Sequence, residues 1–209
     1  MSTKSLATEL DENPTSVYLT DAQGRTALDW ATARAQLQDI RLLLSYGADP
    51  NSMDIAGRTT VLHAVDSHNA ECLQLILEAG GHPDPKMPKG VFRSSPLTAS
   101  GHGGLLTMVS LLLEFGANPN ACNPEGFTAL HSVASAKEQH SAACAFVLLQ
   151  FGADPIAASK NGRTPLSVAK MHHNHAVLRL LVDHYHEYMT KIKAKGMSNA
   201  QKLFSDKLC

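Results

Sequence analysis

Aromatic residues are scarce in this chain of 209 residues: they make up 5%, with one tryptophan, against 44% hydrophobic residues overall. A core poor in rings and rich in Leu, Ala and Val fits thin helices packed closely. Neither sign of charge dominates, since 18 Lys and Arg stand against 19 Asp and Glu, for a net charge of -1. That balance excludes a strong pull of the whole molecule on nucleic acid. No apolar run approaches the ~20 residues that cross a bilayer. Residues 1–14 are polar, carry Asp11 and Glu12, and have no apolar core flanked by positive charge; the expectation is no signal peptide. The four cysteines, Cys72, Cys122, Cys144 and Cys209, have no close pairing and no metal-type spacing, which points to a reducing compartment, cytoplasmic or nuclear. A glycine-rich phosphate loop with its lysine is missing as well.

What the chain does have is self-similarity. Gly47-Ala48-Asp49-Pro50-Asn51 recurs as Gly80-Gly81-His82-Pro83-Asp84, as Gly116-Ala117-Asn118-Pro119-Asn120 and as Gly152-Ala153-Asp154-Pro155. The leading glycines lie 33, 36 and 36 residues apart, and an apolar triplet such as Leu111-Leu112-Leu113 precedes each block. A second signature runs in phase with the first: Gly24-Arg25-Thr26-Ala27-Leu28, Gly126-Phe127-Thr128-Ala129-Leu130-His131 and Gly162-Arg163-Thr164-Pro165-Leu166. The third copy keeps Ser95-Pro96-Leu97 but has Arg93 in place of glycine, and the second, Gly57-Arg58-Thr59-Thr60-Val61-Leu62-His63, reads as carrying one extra residue.

Local physics gives each unit two helices. Thr26 serves as an N-cap for a helix starting at Ala27, and Pro96 and Pro165 take the first helical position, where a missing N–H costs nothing. A second helix over about 105–115 has a broad apolar face, and Gly116 stops it in a left-handed turn. Neither helix buries its apolar side alone, so stacked neighbours supply the core.

These strings resemble the ankyrin repeat, whose pattern is G-x-T-P-L-H-x-A-A, then a turn, an apolar helix and G-A-x-x-N. They are also similar to ankyrin arrays of filamentous fungi. The resemblance covers roughly residues 20–182 and implies an all-α solenoid of stacked helix-turn-helix units with extended finger loops. The implied repeats lie near 20–52, 53–85, 86–121, 122–157 and 158–182. Residues 1–19 are a leader or a cap, and 183–209 an extended last helix with a basic tail. In the family the motif histidine bonds locally and braces neighbouring repeats, a role that falls here on His63 and His131. Cys72 and Cys144 occupy equivalent apolar positions and read as core residues.

Family partners usually lie along the concave side, made of finger tips and the outer turns of first helices. The resemblance therefore implies a partner-binding set of Arg25, Trp30, Arg34, Arg58, His68, Phe92, Arg93, His102, Phe127, Arg163, Met171 and His172. Ile55 and Ala136 fall in the same rows. Large residues such as Trp and Arg are the usual energetic centres of an interface. An apolar Val91-Phe92 pair in the long finger before the third repeat, and the longer turn around Lys137-Glu138-Gln139-His140, mark surface insertions that often serve binding. The dense histidine cluster His172, His173, His175, His184 and His186 lacks a carboxylate or cysteine to complete a metal set.

No catalytic constellation and no cofactor motif appears, so the expected function is non-catalytic: a scaffold or adaptor, monomeric when unbound, whose partner is another protein. Direct nucleic-acid or membrane contact is not expected, and neither is a bound metal. Two alternatives stay open, a transcription co-regulator acting through a DNA-binding partner and an accessory protein in small-molecule biosynthesis.

Overall fold

The computed structural model describes residues 6–85, 94–137 and 140–194. In chain order the helices are α1 (Leu6–Glu12), α2 (Ala27–Ala33), α3 (Leu37–Ser45), α4 (Thr60–Asp66), α5 (Ala70–Glu78), α6 (Pro96–His102), α7 (Leu106–Glu114), α8 (Ala129–Ser135), α9 (Ser141–Gln150), α10 (Pro165–Met171) and α11 (His175–Ala194). A 3-10 turn over Pro14–Tyr18 follows α1. Among the described residues there is no strand. Isolated bridges, Thr20 with Thr26, Met53 with Thr59 and Cys122 with Thr128, close the bases of three fingers.

The threonines do what their chemistry prescribes. Thr26, Thr59, Thr128 and Thr164 are extended N-caps of α2, α4, α8 and α10; the side chains of Thr26, Thr59 and Thr164 each accept from an orphan N–H at the helix start. At the other end of the second helices, Gly47, Gly80, Gly116 and Gly152 have φ between +83° and +93°. A side chain is strained there, which is why glycine recurs at that step of every repeat. The asparagine of the finger has an equally physical reason. The Asn51 amide donates to the Gly80 carbonyl at 3.0 Å while its oxygen accepts from His82 N–H at 2.8 Å. Asn120 repeats the pair with Gly152 and Asp154, at 2.9 and 2.7 Å. Each asparagine staples its repeat to the next.

The second repeat has no extra residue in its motif. Thr59 is the cap and Thr60 the first helical residue, so Val61 fills the place that Leu130 fills in the fourth repeat. His63 therefore stands one residue beyond the place of His131, contrary to the expectation that the motif-histidine role falls on both. Only His131 sits where it can complete a capping box with its threonine.

The chain divides into two compact units, Met1–Pro96 and Leu97–Cys209. In the first, α2 packs on α3 and α4, and α5 packs on α3 and α4. Leu28, Ile40, Leu43, Val61, Leu73 and Ile76 form its core. Leu10 and Val17 are also buried, the 3-10 turn lies on α2, and the Tyr46 hydroxyl donates to Asp11. In the second unit α8 packs on α9 and α10, and α9 on α7 and α11. Leu112, Leu130, Val133, Leu148, Val168 and Leu181 fill its interior. At Gly101 of α6 an added Cβ would meet the Val133 side chain at 2.8 Å, so only glycine permits that approach of α6 to α8.

Cys72 and Cys144 are buried free thiols, and burial pushes both up to about 11. They are core residues, and a thiol of that pKa is a poor nucleophile at neutral pH. Cys122 is not a free thiol, contrary to the expectation that all four cysteines are unpaired.

Candidate binding surface

The finger loops are held by aspartates that accept from their own backbone. In the first finger Asp21 Oδ1 accepts from the N–H groups of Gln23 and Arg25, at 2.8 and 3.0 Å. Its Oδ2 takes the Arg25 guanidinium at 2.8 Å and the Trp30 indole N–H at 2.9 Å. Partial desolvation works against the Asp21 charge, yet the Arg25 N–H, its guanidinium and the Trp30 N–H hold the carboxyl well below the usual carboxylate range. In the second finger Asp54 accepts from Arg58 N–H and Ala56 N–H and pairs with Arg58 Nε at 2.8 Å. Burial again opposes that charge and the same kinds of donors win, so Asp54 also titrates low. Neighbouring fingers join through Ile55 N–H to the Gln23 carbonyl, at 2.9 Å, in one unit. In the other, Lys160 N–H reaches the Glu125 carbonyl, also at 2.9 Å.

Trp30 is half-buried, not solvent-facing. Its ring carries the Arg25 guanidinium at 3.9 Å from the centroid and that of Arg34 at 4.7 Å. Arg25 and Arg58 are committed to supporting their fingers. Arg34 differs: it is exposed and has no ion pair among the described residues, while its guanidinium stacks on the Trp30 ring. His68 is exposed in the turn after α4, with φ +56°, and His102 is exposed at the end of α6. Phe127 is half-buried, its ring 5.1 Å from that of His131. Arg163, Met171 and His172 are exposed. Ala136 is buried and offers no side chain to a helix row. Phe92 and Arg93 lie outside the described residues.

Ile55 is the exposed apolar residue that a ranking by size passes over. It is 76% exposed and lies over Gly24, where an added Cβ would meet its Cγ2 at 3.2 Å. Ile55, Gly24, Arg25, Trp30 and Arg34 thus make one connected surface in the first unit. Sequence reasoning also passed over Phe115, Phe146 and Phe151, exposed on α7 and α9 and their ends, because apolar residues in an amphipathic helix read as core. Two polar residues carry the interior. Asp29 is 0% exposed, and its carboxylate accepts from Thr26, Ser52 and Thr60. His131 is 0% exposed; its Nδ1 accepts from Thr128 N–H at 3.1 Å and its Nε2–H donates to the Arg163 carbonyl at 2.9 Å. The brace expected of His131 is present, and in the first repeat Asp29 does the same work.

With this geometry the comparisons agree. The ankyrin repeats family matches three times, over residues 3–87, 61–158 and 97–195. The chain belongs to the ankyrin-repeat family, whose repeats generally mediate protein–protein interaction. It is 43% identical over 58 residues to the transient receptor potential channel pyrexia of Drosophila melanogaster, covering 27% of this chain and 6% of the channel. It is 35% identical over 88 residues to the B-cell lymphoma 3 protein homolog of Mus musculus, covering 42% of this chain and 19% of that protein. It is 36% identical over 82 residues to ankyrin repeat and SOCS box protein 16 of Homo sapiens, covering 39% of this chain and 18% of that one. The likeness to these relatives thus spans less than a fifth of the length of each.

Proposed function

We propose that this protein is a non-catalytic scaffold or adaptor that binds another protein through its finger loops and first helices. The carrying observation is the surface of Ile55, Trp30 and Arg34 in the first unit. An exposed isoleucine lies over Gly24, next in the chain to the Arg25 that stacks on a half-buried tryptophan. The Arg34 guanidinium, 4.7 Å from the centroid of that tryptophan, is exposed and has no ion pair among the described residues. A rigid aromatic platform with a stacked, exposed arginine and an apolar neighbour is the composition of an interface centre.

The test starts with capture of the partner by the full chain and continues with the purified pair. Arg34→Ala and Ile55→Ala each weaken binding by about 2 kcal/mol or more if they are interface centres. Folding stability stays within roughly ±0.5 kcal/mol, because both residues are exposed. Phe146→Ala, on α9 of the other unit, is the control that leaves affinity unchanged. Wild-type affinity in both first-unit variants would remove this surface from the interface.

A further inference from the structure

The cysteines among the described residues are not alike. Cys72 and Cys144 are free and 0% exposed, while Cys122 is half-buried and disulfide-bonded. A disulfide takes a second cysteine. Cys209, which lies outside the described residues, is the remaining one in the sequence. Cys72 and Cys144 do not compete for that bond. Burial pushes their thiols up to about 11, so they hold almost no thiolate at neutral pH, and the thiolate is the form that attacks a disulfide.

Cys122 stands at the base of the fourth finger, in the second unit. It bridges Thr128, the N-cap of α8. Beside it the Asn123 side chain accepts from Glu125 N–H at 3.1 Å and Phe127 N–H at 2.9 Å, which fixes the loop. From there α8 packs on α9, α10 and α11. Because α8 and α9 form a helical hairpin, the start of α8 and the end of α9 lie at one end of the repeat. As second helices of successive repeats, α9 and α11 run the same way and pack together. Twenty residues in α11 against ten in α9 carry α11 about 15 Å further past the finger bases. Beyond Ala194 the chain has to return by that length and cross one or two helix spacings of about 10 Å each. Residues 195–209 span up to about 50 Å when extended, so Cys209 reaches Cys122 with slack.

We propose that Cys122 and Cys209 form a disulfide that clasps the fourth and fifth repeats, and that a dithiol reductant opens it. One thiolate of the reductant attacks Cys122 Sγ; the S–S bond breaks, and Cys209 leaves with the electron pair and takes up a proton. The reductant's second thiolate attacks its own sulfur in the mixed disulfide. Cys122 then leaves as the second thiol, and the reductant ends as a disulfide. Two electrons and two protons pass from dithiol to protein.

The ring closed by this bond contains α8, α9, α10 and α11. Its outer pair, α10 and α11, has a neighbouring repeat on one side only among the described residues. Val182 and Tyr185 of α11 are each 38% exposed, apolar surface that no further repeat covers. An end repeat draws its stability from a single interface and is the first to fray. A covalent link across it removes open conformations from the competing ensemble, so the clasp holds α11 and α10 against local opening, and reduction releases them. The proposal does not rest on the finger-face reading, because neither cysteine belongs to the surface of Ile55, Trp30 and Arg34.

The experiment uses the full chain purified without reductant. Mass spectrometry of an unreduced digest, kept acidic to prevent exchange, yields a linked peptide pair containing Cys122 and Cys209, and the intact mass is that of a single chain. Thiol titration in denaturant finds Cys72 and Cys144 alone, and all four cysteines after dithiothreitol. In Cys209→Ser, Cys122 becomes reactive without reductant. Hydrogen exchange reads the clasp itself. On reduction of the wild type the amides of α10 and α11 exchange about tenfold faster or more, while those of α2 to α5 are unchanged. Cys209→Ser keeps the wild-type circular dichroism, shows the faster exchange from the start, and does not respond to dithiothreitol. A dimer linked through Cys122, four reactive cysteines before any reductant is added, or exchange in α10 and α11 that ignores both reduction and substitution would each overturn the proposal.

Discussion

Replacing Asp29 by alanine tests the reasoning about how one repeat holds the next. The Asp29 carboxylate accepts from Thr26 N–H at 2.9 Å, Thr26 Oγ1 at 3.0 Å, Ser52 Oγ at 3.0 Å and Thr60 Oγ1 at 2.7 Å. Of these partners, Thr60 belongs to the second repeat and Ser52 to the finger that leads into it. Alanine removes one half of the capping box, worth about 1 kcal/mol. It also strands a buried donor, at about 1–3 kcal/mol. Ser52 and Thr60 still bond one another at 2.9 Å, which limits the loss, so the expected cost is about 2–4 kcal/mol. Urea unfolding followed by the fluorescence of Trp30, one residue away, reads it directly, with an unchanged slope confirming that stability alone has moved. Asp29→His is the informative partner variant. His131 shows that an imidazole at this helix position accepts from the cap N–H and donates to a carbonyl of the next repeat. The histidine variant therefore loses less than half of what alanine loses. An alanine midpoint equal to wild type, or a histidine variant weaker than alanine, would refute the account of Asp29 as the brace.

Trp30→Ala costs about 1–3 kcal/mol, between an exposed change of roughly ±0.5 and a fully buried ring of roughly 3–5; circular dichroism in urea measures it, and a cost outside that window contradicts the half-buried stack. Gly116→Val costs about 1–2 kcal/mol from the left-handed backbone alone, since no atom lies within 4 Å of an added Cβ; a normal urea midpoint would show that the φ of +90° is not required. Acid is expected to weaken the fold. Burial lowers His63 and His131 below their ordinary 6.5, so the unfolded chain binds protons more readily. The stability these two neutral rings contribute is complete above pH 6.5 and is lost as pH falls from there toward their folded values. Urea midpoints taken through that range should fall steadily, and less so in His131→Asn; a midpoint that rises on acidification would reverse the assignment.

Much of the architecture was legible in the order of residues alone, and for a local reason. Threonine at a cap, proline at the first helical turn, glycine at a left-handed stop and an apolar stripe between them each act within a few residues. Their repetition at 33 and 36 residues therefore specified the repeat before any contact was known. The burial of Cys72 and Cys144 followed from the same periodicity. Stacking decided the rest, because it chooses which polar groups lose their water. Asp29 became a brace only when Ser52 and Thr60, 23 and 31 residues away, closed over it, and nothing local distinguishes it from a solvated aspartate. Arg25 and Arg58 looked like free arginines until Asp21 and Asp54 were seen to hold them. Trp30 looked like a surface ring until its N–H found Asp21. The place of His63 moved by one residue once Thr59 was seen to start the helix, and Asn174 became a tie between repeats only when Ala136 and Ser141 came within its reach. The linear pattern determined the repeat and its cap chemistry. Desolvation by neighbouring repeats, a property of the tertiary structure alone, decided which of its polar side chains are structure and which remain free to bind.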